Sequence, residues 1–312
     1  MIRPEHMRLT SIQVPTYQQK GLLLRAVESA LSQDYPALEV VVCDDHSGAF
    51  QNDIECLPND PRLRVFINKE NLGRLSNYRH LLNDLVSGEW VVNLDGDDHF
   101  VDSAFLSRGI NQLSMNPDAV LYMANSKRIN LIFRLCRSAK RLDDSHIIVD
   151  GVEFLKNYIF FPGFCHFGCI YNSSLARKAE FYSVDSLNSD FISIMKLSVH
   201  GKFIISNRKV GEWNFTEVSA SQRIAIPYCH QANLKAINHL VDYIARYIGN
   251  EPAALMGKRL SRLQSYYRAQ FIILNDSLFV AFKLLFLNLR LDLFSARLFY
   301  DFFWKRLISR LS

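Results

Sequence analysis

The N-terminal third of the chain predicts an α/β layer built on a mainly parallel sheet. Three observations predict it: β-prone runs alternate with helix-period segments, the connections are short, and polar clusters end three of the runs. Leu9 to Val14 is β-prone and is broken by Pro15, with Thr16 and Tyr17 following. From Leu22 to Leu31 the apolar positions Leu23, Ala26, Val27, Ala30 and Leu31 keep a helical period, and Tyr35-Pro36 closes that helix. Leu38 to Cys43 is a continuous apolar strand that stops at Asp44-Asp45-His46-Ser47. A third strand, Leu63 to Ile67, leads into Asn68-Lys69-Glu70-Asn71-Leu72-Gly73. A helix from about Ser76 to Val86 then returns through Gly88 to an apolar strand starting at Trp90. Ligands of such sheets bind beyond the carboxyl ends of the strands. Pro15-Thr16-Tyr17, Asp44-Asp45 and Asp95-Gly96-Asp97-Asp98 all fall on that rim.

The last of these clusters is chemically the most pointed. A buried strand should not stop among three carboxylates, because Asp95, Asp97 and Asp98 would repel one another unless a cation offsets them. Hard divalent cations, Mg²⁺ or Mn²⁺, favour oxygen ligands and often keep one or two carboxylates while sharing substrate phosphates. Asp and Gly are also ordinary turn formers, so an acidic turn fits the same residues.

Composition narrows the class. At 312 residues with 49% hydrophobic content, the chain can bury one large core and a small helical annex. The six cysteines, at positions 43, 56, 136, 165, 169 and 229, show no paired metal spacing, so zinc is not expected and a reduced cytosolic setting is. Residues 1–30 carry no signal-peptide apolar core, so secretion is not indicated. No Gly-x-Gly-x-x-Gly or Walker loop follows the first strand, against a dinucleotide enzyme or P-loop NTPase. The net charge of +5 is modest; it favours an anionic membrane leaflet over neutral surfaces and gives no expectation of nucleic acid.

Five ordered segments carry a family resemblance. Val14-Pro15-Thr16-Tyr17, Ala30-Leu31-Ser32-Gln33, Val40 to Ser47, Asn71-Leu72-Gly73 and Asp95-Gly96-Asp97-Asp98 together resemble the signature of family 2 glycosyltransferases with the GT-A fold. The resemblance is firm over residues 8–105, looser to about 225 and absent beyond. It implies an inverting, hexosyltransferase-like transfer of a sugar from a nucleotide-diphosphate donor. By position, it implies that Asp45 hydrogen-bonds the donor base, with Pro15, Thr16 and Tyr17 lining that pocket. A carboxylate suits base imide or amino donors. It likewise implies that Asp95 and Asp97 lie near ribose and metal, that Asp98 with Asp97 holds Mg²⁺ or Mn²⁺, and that Asn71 and Gly73 form the loop beneath the diphosphate. Arg74 and Arg79 match no family position cleanly and read as solvated surface arginines.

The second half supplies the acceptor side. Family members often carry Glu-Asp at a helix start, the Asp being the base; here Ser189-Asp190 opens a helical segment ended by Gly201, and Ser189 departs from the pattern. Asp190 in the first turn suits a carboxylate because the helix dipole favours negative charge there, although capping alone also places Asp at helix starts. Asp185 is the reserve. Phe160 to Cys169 is an aromatic stretch suited to sugar faces, in which His166 reads more readily as a core histidine. The family's downstream His is missing near Trp213. Asn214, Thr216 or Glu217 stand as substitutes, or the loop with Ser219, Ser221 and Arg223 closes over the donor.

The last third turns helical and basic: 232–248, 252–273 and 278–311, with Lys283, Arg290 and Arg297 at seven-residue spacing. No window is apolar enough to span a bilayer, so an interfacial amphipathic helix is expected, or a helical pair packed on the catalytic domain or joining two subunits. The expected organisation is a catalytic domain over 1–225 (donor half 8–105, acceptor half 106–225) and a C-terminal region over 226–312. The expected enzyme adds sugar to a saccharide or lipid-linked saccharide acceptor in cell-surface polysaccharide synthesis, peripheral on the inner face of the cell membrane. A nucleotidyltransferase, or a non-catalytic GT-A-fold membrane or assembly partner, are the competing readings.

Overall fold

The computed structural model describes residues 7–19, 21–48, 52–214 and 227–275. The chain divides into two compact units, Met1–Phe215 and Thr216–Ser312. The strands of the first unit are β1 (Thr10–Thr16), β2 (Leu38–Asp44), β3 (Leu63–Ile67), β4 (Trp90–Asn93), β5 (His99–Phe100), β6 (Ala119–Met123), β7 (Lys140–Arg141), β8 (His146–Asp150), β9 (Cys169–Asn172), β10 (Lys202–Ser206) and β11 (Gly211–Glu212). Nine form one sheet in the order β3-β2-β1-β4-β9-β6-β10-β8-β7, while β5 and β11 make a separate two-stranded ribbon. The β1–β2, β2–β3, β1–β4 and β6–β10 pairs are parallel. β9 runs against both β4 and β6, and β8 against β10 and β7, so within this sheet only β9 and β8 oppose the common strand direction. The mainly parallel sheet expected from the sequence is what the chain forms.

The helices are α1 (Leu23–Leu31), α2 (Asn52–Glu55), α3 (Arg74–His80), α4 (Phe105–Met115), α5 (Ile129–Leu135), α6 (Gly151–Asn157), α7 (Ser173–Lys178) and α8 (Ser189–Lys196). α1 buries Leu23, Ala26, Val27, Ala30 and Leu31, the stripe its period predicts. Val40, Val41 and Val42 of β2 have no exposed surface, which is why that strand is a continuous apolar run rather than an alternating one.

Two local expectations shift. Pro15 does not break the first strand: β1 runs on to Thr16. β4 pairs with β1 only as far as Gln13↔Asn93, so the N–H that Pro15 lacks falls where its neighbour has already ended. The Pro15 carbonyl is then used by the Gly96 N–H at 3.2 Å. The helix expected from about Ser76 starts two residues earlier and ends as a π-helical turn, Leu81–Leu85.

The second unit contains α9 (Pro227–Ile248) and α10 (Asn250–Asn275), joined at Gly249 with φ +86°. Pro252 sits in the first turn of α10, where a missing N–H costs nothing. The two helices approach closely: a Cβ on Gly257 would lie 2.4 Å from Cγ2 of Val241. The expected helix over 278–311, with Lys283, Arg290 and Arg297, lies outside the described residues. Among the described residues no helix is long and apolar enough to cross a membrane.

Candidate active site

The carboxyl ends of β1, β2 and β4 meet on one rim. Thr16 is buried, and its carbonyl accepts the Asp45 N–H at 2.9 Å. Gly96 packs on it so closely that a Cβ there would stand 2.9 Å from Thr16 Oγ1. Pro15 is buried beside them, whereas Tyr17 is 44% exposed and offers its ring to the rim. Asp44 takes both the N–H (2.8 Å) and the hydroxyl of Ser47, an Asx-type turn that turns the chain after β2.

Asp45 is buried and holds the following loop. Its Oδ1 accepts from the Leu72 N–H at 2.8 Å and the Asn68 amide at 2.9 Å, and its Oδ2 from the Gly73 N–H at 2.9 Å. Asn68 also donates to Asn77 at 3.1 Å, and Asn77 to the Cys43 carbonyl at 3.0 Å, which joins the ends of β2, β3 and α3 in one buried polar network. Asn71 is exposed and accepts the Gly73 N–H at 3.0 Å. Gly73 has φ +81° and ψ 153°, a region essentially closed to other residues. Gly73→Ala should therefore cost about 1–3 kcal/mol of unfolding free energy, measured by urea denaturation. No change would mean that the loop relaxes freely.

The acidic trio follows β4. Asp95 Oδ1 accepts from the Tyr78 hydroxyl and, at 2.8 Å, from the Asn93 amide. Asp98 is 6% exposed; its Oδ1 accepts the Asn214 N–H at 3.1 Å, while the Asn214 amide reaches the Asp97 carbonyl at 2.5 Å. Burial, then the charge of Asp95, raises the Asp97 carboxyl to about 6. Burial, with Asp95 and Asp97 adding to it, raises Asp98 to about 8. Carboxylates held so far above their ordinary range are suited to a cation that would offset the repulsion. No three His, Cys, Asp or Glu side chains among the described residues form a ready metal set. Asp95 differs from its two neighbours in that Tyr78 and Asn93 both occupy its Oδ1. Asp97 and Asp98 are thus the two carboxylates of the cluster whose charge burial and crowding leave least offset.

Asp190 opens α8, as its spacing predicts, and is half-buried. Asp185 is exposed. Arg74 and Tyr78 each interact electrostatically with both Asp95 and Asp190, so the end of β4 and the start of α8 lie near the same two side chains. Arg74 is exposed, as the surface reading expects, yet it is also engaged. Its guanidinium lies 5.8 Å from the Tyr78 ring and donates to the Ser186 carbonyl at 3.0 Å. Arg79 is the exposed surface arginine expected. His166 is a buried core histidine: its Nε2 shares a 3.0 Å hydrogen bond with Tyr182, whose ring stacks on Tyr78 at 4.9 Å. Burial lowers its pKa. Lys196, 1% exposed at the end of α8, donates to the carbonyls of Ala179 (2.7 Å) and Glu180 (3.1 Å) and so fixes the turn that carries Tyr182. Asn68, Asn77, Tyr78 and Lys196 escape sequence reading, though a polar residue next to an aromatic on the buried face of α3 was a usable signal. Trp213 is 59% exposed, edge-on to Phe167 at 6.1 Å. Thr216, Glu217, Ser219, Ser221 and Arg223 lie outside the described residues.

Comparison with known proteins gives a consistent picture. A glucosyltransferase of Campylobacter jejuni named for GalNAc(5)-diNAcBac-PP-undecaprenol is 31% identical over 96 residues, 30% of this chain and 31% of the relative. An Escherichia coli UDP-Glc:alpha-D-GlcNAc-diphosphoundecaprenol beta-1,3-glucosyltransferase is 34% identical over 95 residues, 30% of this chain and 38% of the relative. The matched segment thus spans about a third of each. The S. aureus TarS structure with UDP-GlcNAc superposes with a TM-score of 0.64 at 18% identity, covering 86% of this chain and 76% of that one, which shows the GT-A fold. The family described as Glycosyl transferase family 2 matches residues 11–169, about half of the chain and the whole span from β1 to the start of β9. The chain belongs to glycosyl transferase family 2.

Proposed function

We propose that this chain is an inverting, metal-dependent glycosyltransferase that moves a sugar from a nucleotide-diphosphate donor to a lipid-linked saccharide in cell-surface polysaccharide synthesis. The observation that carries the reading is proximity: Arg74 and Tyr78 interact with both Asp95 of the acidic cluster and Asp190, which supports one location for leaving-group and acceptor chemistry. The names of the two bacterial glucosyltransferases support the lipid-linked acceptor, and the UDP-GlcNAc complex of TarS supports a nucleotide-sugar donor.

Tyr17 offers a ring to the donor base, and Thr16 and Pro15 wall that end of the pocket. Asp45 keeps one lone-pair direction on Oδ2 for a base N–H while its other three hold the loop of Asn71 and Gly73 beneath the diphosphate. Asp95, fixed on one oxygen by Tyr78 and Asn93, turns the other to the ribose. Asp97 and Asp98 would hold Mg²⁺ or Mn²⁺, which when bound supplies Lewis-acid stabilisation of the departing diphosphate. Asp190 removes the proton of the acceptor hydroxyl as that oxygen attacks the anomeric carbon. The bond from that carbon to the phosphate oxygen breaks, the electron pair stays on the diphosphate, and Arg74 faces the charge that builds there. Residues 1–225 form the catalytic region, and the basic region over 226–312 holds it to the inner face of an anionic membrane or joins two copies.

Screening nucleotide sugars with Mn²⁺, first for thermal stabilisation and then for release of the nucleoside diphosphate, tests the reading. Release of pyrophosphate from a nucleoside triphosphate instead would refute it. The sign of the pH effect is fixed by the raised carboxyls. The unfolded chain ionises Asp near 3.8, but Asp97 and Asp98 ionise at about 6 and about 8 when folded. The metal-free fold therefore loses stability as pH climbs from the acid side to about 8. Mn²⁺ with UDP must displace those protons, so its stabilising effect should grow from pH 6 to pH 8. Thermal shifts that shrink over that interval would contradict the assignment of Asp97 and Asp98.

A further inference from the structure

The segment leaving β6 carries a surface that the proposed chemistry does not use. Between residues 127 and 141 there are six cations, Lys127, Arg128, Arg134, Arg137, Lys140 and Arg141, and no acid. The rest of the chain holds 30 basic and 31 acidic residues, so this short stretch outweighs the net excess of the whole molecule. All six side chains are exposed, and none forms an ion pair among the described residues. The acid beneath them, Glu153, is half-buried and already accepts the N–H groups of Arg137 and Ser138, each at 2.8 Å.

Apolar side chains stand among these charges. α5 anchors itself through Ile129, Ile132 and Cys136, all buried, and turns Phe133 (36% exposed) and Leu135 (38% exposed) outward. Arg141, on the edge strand β7, places its guanidinium 4.8 Å from the Phe133 ring and donates to Asn130 at 2.8 Å. Lys and Arg on an edge strand commonly guard against sheet-to-sheet pairing. That role accounts for Lys140 and Arg141, but not for Arg134, Arg137 or the outward Phe133 and Leu135. Cations of one sign around exposed Phe and Leu are the composition that binds the interfacial layer of an anionic bilayer, where long stems contact acyl chains and heads meet phosphate. A soluble polyanion needs the charges alone.

Position adds to composition. β6 shares the direction of β1, β2 and β4, so its carboxyl end opens onto the rim that bears Asp45 and the acidic trio. Asn125, just beyond β6, accepts the Val210 N–H at 2.8 Å and donates to the Cys165 sulfur at 3.1 Å, tying the root of the segment to the strands around the pocket. We propose that residues 127–141 form a docking surface for an anionic lipid bilayer, separate from the C-terminal basic region, with the cations on headgroup phosphates and Phe133 and Leu135 in the interface. Lipid binding here does not depend on the glycosyl-transfer reading; delivery of a lipid-linked acceptor to the rim does.

Co-sedimentation of the full chain with phosphatidylcholine vesicles, with and without phosphatidylglycerol, tests it. Partitioning onto phosphatidylglycerol vesicles should fall about tenfold or more in R134S/R137S/K140S/R141S, and about fivefold in F133S/L135S. Stabilisation by UDP-sugar should be unchanged in both, which separates this proposal from the catalytic one. In a K283S/R290S/R297S background the four patch substitutions should still lower partitioning, because the two regions act separately; no further loss there would overturn the proposal. Should a serine variant fail to fold, Phe133→Trp supplies a second measurement: its added emission should shift to the blue with phosphatidylglycerol vesicles and not with phosphatidylcholine alone. Unaltered partitioning of both patch variants, or an unshifted emission from the Phe133→Trp protein, would overturn the proposal. Loss of binding only in the charge variant, with heparin competing fully, would assign the surface to a soluble polyanion and overturn it equally.

Discussion

Asp98→Asn should lower sugar transfer by about a thousandfold, the scale of losing several kcal/mol of charge stabilisation in the transition state. The substitution preserves shape, so the introduced carboxamide oxygen can still accept the Asn214 N–H that now meets Oδ1 of Asp98 at 3.1 Å. What disappears is a buried negative charge crowded by Asp95 and Asp97, the arrangement that raises Asp98 to about 8. Removing it should make the metal-free protein more stable at pH 8 while abolishing the stabilisation conferred by Mn²⁺ with UDP. A melting series with and without Mn²⁺, set beside the turnover rate, reads both effects. If Asp98→Asn lowers the metal-free melting temperature and leaves turnover intact, the carboxylate is structural and the proposed metal position is wrong.

Asp190→Asn should reduce kcat by about a hundredfold to ten-thousandfold, the usual span for losing a general base. Donor binding should survive, because the proposed base pocket is built on β1, β2 and the loop held by Asp45, away from α8. The two variants therefore separate: Asp98→Asn weakens metal-supported donor binding, and Asp190→Asn does not. Asp185→Asn, at an exposed position, is the control and should stay near wild type. Calorimetric titration of UDP alongside initial rates would decide. A silent Asp190→Asn with an inactive Asp185→Asn would move the base to position 185.

What the sequence revealed tracks the range of the interactions involved. The apolar run Leu38 to Cys43, the helical stripe of α1 and the Asp95–Asp98 cluster are local patterns, and each lies where its pattern placed it. Pro15 misled because a proline's effect on a strand depends on which neighbour faces its missing N–H, and here β4 has already ended. The network of Asp45, Asn68 and Asn77 joins three elements, so no spacing rule along the chain could expose it. Arg74 is exposed as its surface reading expects, but its hydrogen bond to Ser186, 112 residues away, is a long-range contact that no local pattern announces. The occupation of Asp95 by Tyr78 was equally hidden, since it depends on how α3 lies across the end of β4.

The reversed strand β9 has a consequence for dissecting the enzyme. It fills the gap between β4 and β6, with Ile170 and Tyr171 wholly enclosed. A fragment truncated ahead of it would leave two long-buried edges unpaired in the middle of the molecule, inviting self-association instead of a free-standing nucleotide-binding piece. Recombinant halves or chimaeras should therefore carry the polypeptide through Asn172, however complete the upstream signature looks on paper.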